Sequence, residues 1–200
     1  MRVFRRAALA GAVVLVASLA SVSGAVAQPA ASGAVVVDLE VVFANSLAGK
    51  DAQAKLKAIA AAADQEFSPE AKALDAEKAA LGPRFTGLND QQALDAMNKD
   101  PALATKYQSF VQRLGAFEQK RNLRQQEIAE TERAAVAQVV TAAVPDVQAV
   151  MTGRGALVAL DASSVAYKDA KADITADVIS RLDQRVKTVT VTKVDLTKAQ

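Results

Sequence analysis

The 200-residue chain has no cysteine, no histidine and no tryptophan. Without cysteine it has no disulfide and no thiolate chemistry, so an exported form must fold without cross-links. Without histidine it lacks the commonest general base and the commonest zinc ligand, and every standard nucleophilic triad is excluded. Aromatic residues make up only 4% of the chain, whereas 51% is hydrophobic and 23% charged. Much of the hydrophobic share is alanine. That composition suits long, thin helices better than a large globular core.

The N-terminus reads as a secretory address and is set apart from the fold. Arg2, Arg5 and Arg6 precede an apolar or small-residue run over 7–22, and Ala25-Val26-Ala27 is an A-x-A cleavage site. Residues 1–27 are therefore expected to be a cleaved Sec-type signal peptide, which places the mature chain in the periplasm. The alternative is an uncleaved membrane anchor. The twin-arginine route fits poorly, because Phe4 and Ala7-Ala8 flank the arginines. The chain has 24 Lys+Arg against 22 Asp+Glu; loss of the three arginines leaves 21 against 22, a net −1. The basic balance thus belongs mostly to the leader and does not point to nucleic acid. No other run reads as a membrane span, so a soluble mature protein is expected.

The organising stretch is 100–144. Asp100-Pro101 supplies an N-cap and a proline at the first helical position, and Pro145-Asp146 is expected to close the helix. At ~1.5 Å per residue this helix would be roughly 65 Å long. Leu103, Tyr107, Phe110, Leu114 and Phe117 form a heptad seam, which continues as the more polar Arg121, Arg124, Ile128 and Thr131. An earlier helix from Asp51 to about Leu81 carries Leu56, Ala60, Ala63, Phe67, Ala71 and Leu74, with a bend or restart expected at Ser68-Pro69. The segment 82–99 reads as a hairpin tip with an Asn89-Asp90 cap. Counting back from it sets Leu74 near Phe110 and Phe67 near Phe117.

The ends of the chain read as β. Strands are expected at 34–37, 156–160 and 165–167, with an edge strand over 188–194. Asp38 should cap a short helix ending at Gly49, and Asp173 a final one bearing Ile174, Val178, Leu182 and Val186 on one face. The fold class is mainly α with a small β body (α+β). A helical hairpin arm over 50–144 is inserted into a β-rich body formed by 28–49 and 145–200. Such a body is small enough to gain stability by joining copies of itself.

The chain resembles the Skp/OmpH family of periplasmic chaperones. The resemblance rests on Ala116-Phe117-Glu118-Gln119 with the basic residues after it, on Val165-Ala166-Tyr167, and on Asp173-Ile174-Thr175-Ala176-Asp177-Val178. Val35-Val36-Val37-Asp38 and Phe43 fit the family's opening. It covers roughly the whole mature chain in the same order, although the arms match only in character. It implies a homotrimer with a β-rich trimerisation body and projecting arms. It also implies an ATP-independent holdase for unfolded outer-membrane proteins. The alternative, from another class, is a structural coiled-coil envelope protein acting as a spacer or tether without clients.

Two groups of residues are candidates for contact. Arg113, Lys120 and Arg124 share nearly one helix face, with Arg121 beside them. They suit acidic groups on a client, on lipopolysaccharide (which the resemblance suggests) or at a membrane surface. The plainer reading is a solvated arm face paired with Glu118 and Glu127. Leu123 stands where the family tends to have a basic residue. Phe85, Leu88, Leu94 and Met97 at the tip could grip a client or close the hairpin, with Phe85, Leu88 and Met97 the first choice. No catalytic, metal or cofactor residues are expected. The pairs Asp38/Glu40 and Glu127/Glu130 read as a helix cap and an exposed helix face. The segment Ala44-Asn45-Ser46-Leu47-Ala48-Gly49-Lys50-Asp51 lacks the first glycine of a phosphate loop.

Overall fold

The computed structural model describes residues 33–198. The expected signal peptide over 1–27 lies outside them. In chain order the elements are β1 (Gly33–Val37), α1 (Leu39–Asn45), α2 (Leu47–Phe85), α3 (Asp90–Lys99), α4 (Pro101–Gly153), β2 (Ala156–Asp161) and α5 (Thr175–Arg185). The fold is mainly helical, with one two-stranded sheet.

β1 and β2 pair in parallel, with Val35 opposite Ala159 and Val37 opposite Asp161. Parallel neighbours need a long crossover, and the whole α2–α4 hairpin provides it. The other side of β1 bridges to Asp173, where the Ile174 N–H donates to the Val36 carbonyl at 2.9 Å. β1 is therefore covered on both edges, and the outer edge of β2 has no ladder partner among the described residues.

The helical hairpin forms as its seam predicts. The Asp100 carboxylate accepts from the Leu103 N–H at 3.0 Å, and Pro101 opens α4 where its missing N–H costs nothing. Asn89 and Gln92 make a reciprocal capping box at the start of α3. Phe67 of α2 meets Phe117 of α4 edge to face, with ring centroids 5.8 Å apart. Beyond the body, Ala63, Leu74, Leu103 and Phe117 are the buried apolar residues of the arm, so its interior is thin.

Five local expectations are corrected. Pro145 does not end α4, which continues to Gly153 over 53 residues, about 80 Å at ~1.5 Å per residue. Arg185 of α5 donates to the Ala142 carbonyl and to the Asp146 carboxylate, and so braces α4 on both sides of the proline. Pro69 and Pro83 likewise lie inside α2, which runs on to Phe85. Residues 165–167 form no strand, because β1 takes its second partner from Asp173 instead. Residues 188–194 run extended without a ladder, their backbone held by side chains of the two long helices. Gly49 is not a helix end but lies in the first turn of α2. A Cβ there would sit 1.7 Å from the Phe43 carbonyl oxygen, so only glycine allows α1 and α2 to meet this closely.

The core lies where α5 packs on the hairpin root. Ile174, Val178 and Leu182 are wholly buried against Val42, Val139 and Ala143, with Val35, Val37 and Ala52 completing the cluster. α4 is long and apolar enough to cross a membrane by length and composition, with a window of mean hydropathy 1.4, which the sequence reading did not anticipate. In this fold α4 supplies Ala135, Val139, Ala143 and Val150 to the core, and Asp146 within it is paired to Arg185 at 2.6 Å.

Candidate functional site

The four basic candidates lie on α4 but do not act as one patch. The Arg113 guanidinium reaches across to α2, bonding Glu70 at 2.9 Å and Glu77 at close range. Both carboxylates raise its pKa further, through hydrogen bonds and charge. Arg124 sits between Glu66 of α2 and Glu127 of its own helix, at 3.0 Å from each, with its side chain 18% exposed. Its Nε is buried without a hydrogen-bond partner among the described residues. Two of the four positive charges are therefore neutralised within the hairpin, where they tie its helices together.

Lys120 and Arg121 are exposed and form no ion pair among the described residues. Arg121 lies 5.8 Å from the centre of the Phe117 ring, in cation–π range. Lys120 borders a hollow of about 400 Å³ together with Phe67, Glu70, Arg113 and Phe117. These residues place mixed charge around the one aromatic pair at mid-arm. Such a surface can hold acidic and apolar groups weakly.

At the tip, Phe85 packs on Tyr107 with ring centres 5.3 Å apart, so it helps close the hairpin. Arg84 and Asp100 add an ion pair at 3.0 Å. Gly87 makes the turn with φ of 78°, and the chain presents Leu88 and Leu94 outward. Leu94 is 51% exposed, more than Leu88 at 39%, while Met97 is half-buried.

The sequence reading missed the most exposed apolar surface. Along β2 and just after it, Leu157 is 68% exposed and Tyr167 86%, with Val158 and Leu160 also open. The sequence predicts a strand at 156–160, and only the pairing shows that one of its edges stays uncovered among the described residues. Glu127 was read as part of an exposed helix face, but it is buried. Lys193 and Leu196 from the chain's end cover it, and heptad counting along α4 could not show that.

A family model described as outer membrane protein (OmpH-like) matches residues 33–182. The chain belongs to the OmpH-like family. None of the curated proteins matches it. Among solved structures, it is similar to the OmpH-like protein of Caulobacter crescentus CB15, which has been assigned as an outer membrane chaperone. The two are 28% identical with a TM-score of 0.65, over 84% of this chain and 94% of that one. The last described residues, 183–198, fall beyond the family match.

Proposed function

We propose that this OmpH-like chain is an ATP-independent holdase chaperone of the periplasm, binding unfolded outer-membrane proteins and preventing their aggregation. The observation that carries this reading is the hairpin itself. It is a thin pair of long helices with Leu88, Leu94, Tyr107 and Val111 exposed among charges of both signs. An unfolded barrel protein exposes many small apolar stretches, and a surface offering many weak contacts suits it better than a single pocket.

The working form is a homotrimer, with the two ends of the chain, which are less β-rich than expected and share one two-stranded sheet, joining the copies. The uncovered edge of β2 and the exposed Leu157, Val158, Leu160 and Tyr167 favour it. An open apolar strand edge invites pairing with another chain, and a closed assembly removes it. Acidic headgroups such as those of lipopolysaccharide or a membrane surface are a secondary partner, offered Lys120 and Arg121. No nucleic acid is involved, since the mature charge is only −1.

The second reading is a spacer or tether without clients. The cross-helix pairs of Arg113 and Arg124 favour it, because they stiffen the arm with charges that would otherwise face a partner. One experiment separates the two. Light scattering follows a urea-unfolded outer-membrane barrel protein diluted into buffer with the purified chain and no nucleotide. The chaperone reading expects suppression near one trimer per barrel; absence of suppression at any excess leaves the spacer.

A further inference from the structure

The α4 seam turns polar at Arg124 and Thr131, and the end of the chain lies against it there. After α5, residues 186–195 cross back over the hairpin root outside any helix or strand, and Leu196–Lys198 close the segment with one 3-10 turn. Asp51 and Lys55, one turn apart on α2, grip a single residue from both sides. The Val189 N–H donates to Asp51 Oδ2 at 2.9 Å, and Lys55 Nζ donates to the Val189 carbonyl at 2.6 Å. Asp51 and Lys55 are themselves paired at 2.7 Å, which fixes the geometry of the grip.

A second pair, also one turn apart but on α4, accepts from two residues of the same segment. The Val194 N–H donates to Thr131 Oγ1 at 2.9 Å, and the Leu196 N–H to Glu127 Oε1 at 3.3 Å. Thr131 and Glu127 are buried, and the Thr131 hydroxyl is oriented by donating to the Glu127 carbonyl at 2.6 Å. These contacts address the main chain, which any sequence presents. Over 188–192 the side chains alternate, Val189 and Val191 facing the core while Thr188, Thr190 and Thr192 are exposed, and Lys193 adds a charge contact to Glu127 at 3.8 Å. Beside the end of the strap lies an open hollow of about 430 Å³, bordered by Phe67, Lys120 and Leu123 on the hairpin and by Lys193, Asp195 and Thr197 of the strap itself.

We propose that this groove is a binding site for an extended polypeptide segment with apolar residues at alternate positions, and that residues 187–198 occupy it in cis as an exchangeable stand-in. Strands of a transmembrane barrel alternate with the same period of two. The proposal rests on the chaperone reading and names the form in which part of the substrate is held. Tethering gives the strap an effective concentration on the order of millimolar, so an incoming segment must be present near that level or make further contacts along the open hollow.

The test uses the intact protein and a synthetic peptide with the sequence of residues 187–198, beside a control peptide in which serine replaces each valine. With the first peptide at millimolar concentration, amide exchange at Val189, Val194 and Leu196 should accelerate about tenfold as the strap is displaced. The control should leave exchange unchanged. No acceleration, or the same acceleration with both peptides, overturns the proposal. The absence of cysteine allows a second arm. Residues 134 and 192 border one small hollow, so Ala134→Cys with Thr192→Cys can be joined by a short bismaleimide. The locked protein should lose peptide binding and suppress aggregation less than the unlocked one. Equal suppression by both forms without peptide exchange overturns the groove alone, whereas suppression by neither overturns the chaperone reading.

Discussion

The Arg185 guanidinium bridges Pro145, donating to the Asp146 carboxylate at 2.6 Å and to the Ala142 carbonyl on the other side. α5 thereby stabilises α4 at the point where proline removes a ladder donor. Asp146 is buried, so loss of its partner leaves a carboxylate poorly solvated. Arg185→Ala should cost about 1–3 kcal/mol in urea unfolding of the body, a range expected for a charge-assisted bond with one exposed partner. Asp146→Asn should cost less than Arg185→Ala, because a neutral amide tolerates burial better. The reverse order would show that the buried carboxylate is held by groups other than Arg185.

Glycine substitutions should separate close packing from simple helix propensity. Gly49→Ala places a methyl group 1.7 Å from the Phe43 carbonyl oxygen, so the α1–α2 junction must open. Gly115→Ala meets nothing within 4 Å in the middle of a helix and should stabilise by about 1 kcal/mol. Thermal melts of the two variants should move in opposite directions.

The hairpin was legible in the sequence because its signals are local. Asp100-Pro101 begins α4, Asn89 caps α3, and the heptad count set Phe67 against Phe117 correctly. The errors arose where a distant residue decides. Pro145 lies inside a helix that Arg185 of α5 braces on both sides of it. Residues 188–194 have the alternation of a strand, yet Asp51, Lys55 and Thr131 hold their backbone in place of a neighbouring strand. The basic face was visible by its spacing, but the pairing of Arg113 and Arg124 with glutamates of α2 depends on the register between two helices.

The Phe67–Phe117 contact should govern the arm independently of the body. Phe117→Ala removes a buried ring and the edge-to-face pair, itself worth about 0.5–1.5 kcal/mol beyond area burial. Amide exchange should rise along the middle of α2 and α4 while the amides of α5 keep their protection. Uniform loss of protection would mean that arm and body unfold as one cooperative unit.

Acid should weaken the turn before α5. Lys168 and Thr175 hold the Asp173 carboxyl at about 2, down from 3.8. A depressed carboxylate pKa contributes stability that is full above the ordinary value and lost as pH falls through the depressed one. The contribution of Asp173 should therefore fade between pH 3.8 and about 2. Asp173→Asn should lower stability at neutral pH and flatten its dependence on pH across that window. A parallel fall in both proteins would assign the acid sensitivity to other carboxylates.

The exposed charges and the exposed hydrophobes of the arm should play different parts in capture. Arg113 and Arg124 are bound to glutamates, which leaves Lys120 and Arg121 as the candidates that meet an approaching chain. Exposed charges are screened over ~8 Å at physiological ionic strength, so their influence falls mainly on encounter. Lys120→Glu with Arg121→Glu should slow association with an unfolded barrel protein at low salt, and the difference should shrink as salt rises. At the tip, Phe85 is engaged with Tyr107, so Leu88 and Leu94 are the side chains free to leave water on contact. Leu88→Ser with Leu94→Ser should shorten residence at every salt concentration, because apolar contact is not screened. Stopped-flow fluorescence at low and high salt measures both rates, after circular dichroism confirms that each variant keeps its helices. Faster release from the charge-reversed protein at all salt concentrations would invert these roles and make Lys120 and Arg121 the holding contacts.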